Sequence, residues 1–224
     1  MKFTGRVFTP VVAVLMIIAW HTSYFLIDRH AAYAFLIRDG FLKYDYIYSP
    51  LILPFFWWMG KKYDEARFYS ERDPLTGLYN RRFVWNMFPE MLSKADKSKE
   101  RLNIFVVDID RFKKINDTYG HELGDAVIRD VSSVLLSLTN PSDLVARWGG
   151  DEFLIVMSDN QHPPNSLTVL IEQKLRKSSN HGIIVTVSMG SSTYPETAKL
   201  ASDLIRLADE SMYQSKLAKQ HHLP

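Results

Sequence analysis

Residues 102–109 read Leu-Asn-Ile-Phe-Val-Val-Asp-Ile, and only Asn103 and Asp108 among them are polar. So short and so apolar a run suits a strand buried on both faces. It has to sit inside a sheet, and the flanking chain has to cover it. The flanks carry the patterns for that. Arg81 to Ala95 predicts a helix with Phe83, Met87, Met91 and Leu92 at core spacing. Glu122 to Leu138 predicts a second, with Val127, Val131 and Val134 on its apolar side. Asp143 to Trp148 and Phe153 to Met157 predict short strands around the turn Gly149-Gly150-Asp151-Glu152. A helix over Ser166–Lys177, a strand over Ile183–Met189 and an amphipathic helix over Ala198–Lys219 complete the order α-β-α-β-β-α-β-α. That order is an α+β expectation, with helices gathered on one face of the sheet.

The 60 residues at the N-terminus differ in kind. From Val7 to Ile27 only Thr9, Pro10, His21, Thr22 and Ser23 interrupt an apolar and aromatic run. About 21 such residues are long enough for a hydrocarbon core of roughly 30 Å. A second run, Tyr46 to Met59, contains Pro50 and Pro54 and ends at Trp57-Trp58 before Lys61-Lys62. The expectation is a transmembrane helical hairpin over residues 1–60, with both basic flanks inside. A cleaved signal peptide is the competing reading, since Ala32-Tyr33-Ala34 looks like a cleavage site. A soluble core hairpin is the third, and it would have to cover Phe55-Phe56-Trp57-Trp58. Residues 61–72 are charged and read as a helical connector, leaving 73–224 as the second domain.

Composition narrows the chemistry. The formal net charge is +2 and no basic excess points to nucleic acid. There is no cysteine, so thiolate catalysis and Cys-based zinc sites are excluded.

The candidate chemistry gathers where strands end. The apolar strand runs into Asp108 and Asp110, and a carboxylate there is costly unless paired or metal-bound. Gly149-Gly150 allows a tight turn that presents Asp151 and Glu152. Three carboxylates (Asp108, Asp151, Glu152) converging at one sheet edge would suit Mg²⁺ or Mn²⁺ and phosphoryl chemistry. A plain hairpin is the bland alternative for the turn taken alone. Asp110-Arg111-Phe112-Lys113-Lys114 bends away from the strand and could offer backbone N–H groups to phosphates. Asn116 and Asp125 carry groups that suit the edge of guanine, though singly they also read as a turn residue and a solvated helix residue.

Together these residues resemble a known family. Gly149-Gly150-Asp151-Glu152-Phe153 is the signature of GGDEF-domain diguanylate cyclases. Residues 73–82 (DPLTGLYNRR), 108–117 (DIDRFKKIND), Gly120-His121, Gly124-Asp125, Ser188-Met189-Gly190, Ala208-Asp209, Met212-Tyr213 and Lys216 are similar to its other motifs. The similarity covers Asp73 to about Gln220. It implies a ferredoxin-like sheet of the nucleotidyl-cyclase and polymerase-palm type. It implies two Mg²⁺ (or Mn²⁺) held by Asp108, the Ile109 carbonyl and Asp151, with Glu152 as metal ligand or as base for a 3′-hydroxyl. Asn116 and Asp125 would read guanine, Phe112 and Lys113 would offer N–H groups to phosphates, and Lys216 would add positive charge. The implied reaction condenses two GTP into cyclic di-GMP and two pyrophosphates across a homodimer. The enzyme would be anchored in the inner membrane with its catalytic domain in the cytoplasm. The other reading is an inactive GGDEF domain that binds GTP or a partner.

Two departures stand out. The family's inhibitory Arg-x-x-Asp is here Asn140-Pro141-Ser142-Asp143, so Asp143 is kept and Asn140 replaces the arginine. An amide cannot supply the bidentate guanidinium fork, and product inhibition through that site is expected to be lost. A Gly-Arg pair after Lys216 is also missing, which leaves Lys219-Gln220 and the question whether Lys219 compensates.

Overall fold

The computed structural model describes residues 4–27, 29–30, 41–158, 164–178 and 182–221. The chain divides into two compact units, Met1–Ser70 and Glu71–Pro224.

The first unit holds α1 (Thr4–Ile27) and α2 (Phe41–Glu71). The two run antiparallel, because Gly5 meets Gly60 and Asp64 while Thr9 meets Phe56. A Cβ added to Gly5 would stand 2.6 Å from the Gly60 carbonyl oxygen, so only glycine lets the backbones approach this closely. The Thr9 hydroxyl donates to the Phe56 carbonyl at 2.6 Å. The buried Asp64 carboxylate accepts from the backbone N–H groups of Gly5 (2.8 Å) and Arg6 (3.1 Å). Those are among the donors that a helix start leaves unsatisfied, and the helix dipole favours an anion there.

Outside this seam, Phe8, Leu15, Met16, Ile18, Leu26, Phe55, Trp57 and Trp58 remain exposed. Among the described residues no helix is long and apolar enough to cross a membrane, so the expected transmembrane hairpin finds no support there. Its apolar stretches are diluted, by His21-Thr22-Ser23 in α1 and by the charged half of α2 beyond Gly60. The connector expected over residues 61–72 is no separate element, since α2 runs unbroken to Glu71. The Ala32–Ala34 segment lies outside the described residues.

The second unit contains, in order, β1 (Tyr79–Asn80), α3 (Arg81–Ser98), β2 (Leu102–Ile109), α4 (Phe112–Tyr119) and α5 (His121–Ser137). Then follow β3 (Leu144–Arg147), β4 (Glu152–Ser158), α6 (Pro164–Ser178), β5 (Val187–Tyr194) and α7 (Ala201–His221). The sheet order is β1-β3-β4-β2-β5. β1 pairs parallel to β3, and the other pairings are antiparallel.

Helices cover both faces of the sheet, which corrects the one-face expectation. All eight residues of β2 are buried. Phe105, Val107 and Ile109 point to a core built with Val127, Val131, Leu167 and Ile171 of α5 and α6. Leu102, Ile104 and Val106 point to the opposite core, with Val84, Phe88, Leu204 and Met212 of α3 and α7. Side chains alternate along a strand, so a strand apolar at both parities needs two covers.

β5 lies over Val187–Tyr194 and not over Ile183–Met189. Ile184 precedes it and is exposed. The strand is rich in small residues because α7 lies directly on it. The Ser192 hydroxyl donates to the Leu204 carbonyl at 2.7 Å. A Cβ on Gly190 would collide with the backbone at Ala208 and Met212. Gly190→Val is therefore expected to cost about 2 kcal/mol or more, since neither backbone can yield without lifting the helix. A urea melt of the two proteins measures it.

Candidate active site

Strand register sets the first feature. Asp108, next to last in β2, is paired with Glu152 on β4 and with Ser188 on β5. One residue on, the Ile109 N–H donates to the Asp151 carbonyl at 3.2 Å. The turn between β3 and β4 is closed by Trp148 and Gly149 N–H groups donating to the Glu152 carbonyl at 2.8 and 3.2 Å. The tip Gly149–Asp151 is thus held beside the end of β2.

Arg147 braces that tip. Its guanidinium donates to the Gly150 carbonyl at 2.7 and 3.1 Å and to both Asp73 carboxylate oxygens at 3.1 and 3.2 Å. Asp73 is itself fixed by accepting from the Thr76 N–H (3.0 Å) and hydroxyl (2.8 Å). The opening DPLTG segment is therefore a folded turn whose carboxylate supports the GGDEF hairpin. Sequence reasoning assigned Arg147 no role, and Asp73 only a place in a motif.

Negative charge is crowded here. Burial pushes the Asp108 carboxyl up from its usual value, and the charges of Asp151 and Asp110 add to this, against the pull of Lys216. Burial also pushes Glu152 up, helped by Asp108, Asp209 and Asp151. Lys216 reaches Asp108 Oδ1 at 2.7 Å. Burial alone would lower the Lys216 pKa, but Asp108, Asp151 and Asp110 outweigh it and hold the ammonium charged. Asp209 was quoted in a sequence motif but given no role. It sits seven residues before Lys216, two helical turns back on the same face of α7.

The oxygen donors and the crowding of Asp108, Asp151 and Glu152, which Lys216 offsets only in part, fit a hard divalent cation. Asp108, Asp151 and the Ile109 carbonyl are the groups that would hold it. Among the described residues, no three acidic or histidine side chains close on a single point. Asp108 is turned to Lys216 instead, which relieves a buried carboxylate at shorter range than its like-charged neighbours allow.

The second feature is the start of α4. The sequence suggested only a bend here, yet residues 112–119 are helical. Arg111 precedes it in the left-handed region (φ 56°) with no side-chain cap. The first N–H groups, those of Phe112 and Lys113 included, therefore have no intrahelical acceptor. Next to it, the Asn116 Oδ1 atom is buried with no hydrogen-bond partner among the described residues. Gly124 makes that position possible, because a Cβ there would overlap the Asn116 amide and press on the Phe112 ring at 3.3 Å. An orphaned buried acceptor is costly unless a ligand donates to it. Asp125 follows on α5 and is exposed. A cavity of about 960 Å³ adjoins at Asp110, Arg111 and Lys216, but Asn116, Asp108 and Glu152 do not line it.

The Asn140–Asp143 stretch is a closed turn. Asp143 Oδ2 accepts from the Asn140 N–H at 2.7 Å, and the Asp143 N–H donates back to the Asn140 carbonyl at 3.0 Å.

With this geometry in hand, similarity to known proteins can be placed on it. The family model "Diguanylate cyclase, GGDEF domain" matches residues 70–222. This chain belongs to the GGDEF diguanylate cyclase family. It is 33% identical over 153 residues to diguanylate cyclase DosC of Escherichia coli (strain K12), covering 64% of this chain and 32% of that one. It is 34% identical over 152 residues to the response regulator PleD of Caulobacter vibrioides (strain NA1000 / CB15N), covering 64% and 33%. The chain thus spans about a third of the length of these curated relatives.

Among solved structures, the GGDEF domain of TpbB (YfiN) from Pseudomonas aeruginosa superposes with a TM-score of 0.59 at 31% identity, covering 66% of this chain and 89% of that one. The coiled coil and GGDEF domain of DgcB from Caulobacter crescentus, in complex with c-di-GMP, gives 0.61 at 26%, covering 71% and 87%. The fold is the GGDEF nucleotidyl-cyclase fold, a mixed α+β sheet with helices.

The raised Glu152 carboxyl has a thermodynamic consequence. An acid whose pKa is higher folded than unfolded destabilises the folded state once ionised. The penalty is absent below the unfolded value of about 4.3, builds as pH rises, and is complete above the folded value. In EDTA at pH 7, Glu152→Gln is expected to raise the melting temperature. The gain should vanish as pH falls through about 4. Calorimetry across pH measures it.

Proposed function

We propose that this protein is a diguanylate cyclase that condenses two GTP into cyclic di-GMP and two pyrophosphates. The observation that carries the reading is the cross-strand placement of Asp108 and Glu152 at the sheet end, with Lys216 beside them. Support for a guanine nucleotide comes from the buried, unpartnered Asn116 oxygen, which can accept from a guanine N–H edge, with Asp125 next along α5 from Gly124, the residue that Asn116 packs against. The N–H groups of Phe112 and Lys113 seat the phosphates.

Mg²⁺ bound at Asp108, Asp151 and the Ile109 carbonyl would supply Lewis-acid polarisation of the phosphoryl oxygens. Glu152, with its raised pKa, accepts the proton of the 3′-hydroxyl. The 3′-oxygen forms a bond to the α-phosphorus of the other GTP, and the α–β phosphoanhydride breaks to release pyrophosphate. A second, symmetric attack closes the ring. One site holds one GTP, so two subunits have to meet face to face, and their pairing supplies proximity. The protein would therefore work as a homodimer.

We also place the first unit at the bacterial inner membrane, with the catalytic unit in the cytoplasm. Exposed Phe8, Leu15, Met16, Ile18, Trp57 and Trp58 support this, since an apolar surface of that extent needs cover. Recovery in the membrane fraction, resistant to carbonate and released by detergent, is the expected outcome. Recovery in the soluble fraction would overturn it.

Activity is tested by incubating the protein with GTP and Mg²⁺ and separating the products by chromatography. Cyclic di-GMP is expected from the parent, and Glu152→Gln should lower the rate about 100-fold or more. Asn116→Ala should raise the GTP KM about tenfold, by loss of one well-formed hydrogen bond. No product from a folded, dimeric parent would leave the chain as a binding module. Asn140 in place of arginine leads us to propose that the enzyme lacks product inhibition through this turn. Added cyclic di-GMP should then leave the rate at saturating GTP unchanged, and potent noncompetitive inhibition would overturn this.

A further inference from the structure

Lys219 lies one turn beyond Lys216 on α7, where a second cation for the triphosphate would be sought. The geometry commits it elsewhere. Its ammonium donates to Asp110 Oδ2 at 3.3 Å, to Glu172 Oε1 at 3.1 Å and to the Val187 carbonyl at 2.5 Å. An ammonium has three N–H bonds, so these acceptors use them all.

The partners matter as much as the count. Asp110 directly follows β2, Val187 opens β5, and Glu172 belongs to α6. Lys219 thus ties three elements to α7 through one charge. Asp110 is held at its other atoms too. Its Oδ1 accepts from the Ser188 hydroxyl at 2.6 Å, and its N–H donates to the Thr186 carbonyl at 3.0 Å. Two residues before Asp110 stands Asp108, and two residues after it α4 begins. Whatever fixes Asp110 also fixes the spacing between the carboxylate end of the site and the phosphate seat.

We propose that Lys219 is a positioning residue and not a phosphate ligand. It neutralises Asp110 and Glu172 and sets the exit of β2, so that Asp108 and the first N–H groups of α4 stand at working distance. The kinetic part of this proposal rests on the cyclase reading above.

The test uses the full chain with Lys219→Met and Lys219→Arg. Lys219→Met should lower kcat about tenfold or more, because misplacing reacting groups by an ångström costs up to about a hundredfold. Its affinity for α,β-methylene-GTP, which cannot react, should stay within about twofold of the parent, since no phosphate contact is lost. Lys219→Arg should recover much of kcat, as a guanidinium can still bridge two carboxylates. A tenfold loss of analogue affinity with kcat retained would identify a phosphate ligand and overturn the proposal.

A readout without nucleotide separates this from the cyclase reading. In urea melts, Lys219→Met should cost less stability when Asp110→Asn is already present than in the parent. Additive losses would overturn the clamp. A parent that makes no cyclic di-GMP would sink the cyclase reading, while this cycle would still decide the clamp.

Discussion

The pairing of β2 with two antiparallel neighbours governs the second unit. β2 is buried along its full length, and one-residue slippage against β4 or β5 would turn its apolar side chains to the wrong core. The register that satisfies both cores also sets Asp108 opposite Glu152 and Ser188. Hydrophobic packing therefore decides where the carboxylates stand. Their mutual repulsion is tolerated because two large apolar clusters hold the strands in place. Natural proteins commonly accept such local cost where chemistry is done.

Much of this could be read from the chain, and the failures have identifiable causes. The bounds Leu102–Ile109 match the strand as read, because a run apolar at both parities has few other uses. The hairpin tip at Gly149–Glu152 was legible for the opposite reason, as a glycine pair interrupting two apolar runs. Apolar content alone points to Ile183 and Ile184, upstream of the strand at Val187–Tyr194. The true strand is marked by Ser188, Gly190 and Ser192, small residues that admit α7. α4 was missed because it buries none of its residues fully and so leaves no helical stripe.

Contacts between distant residues were beyond pattern. Asp73 and Arg147 lie 74 positions apart, and nothing local in either segment pairs them. The same holds for Lys219 and Asp110, 109 positions apart. The orphaned Asn116 oxygen is also a product of packing, since only the approach of Gly124 buries it. Residue type told that an amide was present. Its lack of a partner could be known only once α4 and α5 were laid side by side.

The Asp64 carboxylate caps α1 through the N–H of Gly5, 59 residues earlier in the chain. On the ribosome, α1 is made before α2, so its leading N–H groups lack the Asp64 acceptor until α2 follows. The seam between Gly5 and Gly60 can close only after Asp64 has cleared the exit tunnel. The chain then closes a long loop at the modest entropic cost that loops of this size carry. The two-helix unit is thus finished from its open end, by the stretch of α2 that carries Gly60 and Asp64, and its maturation is timed by translation of α2.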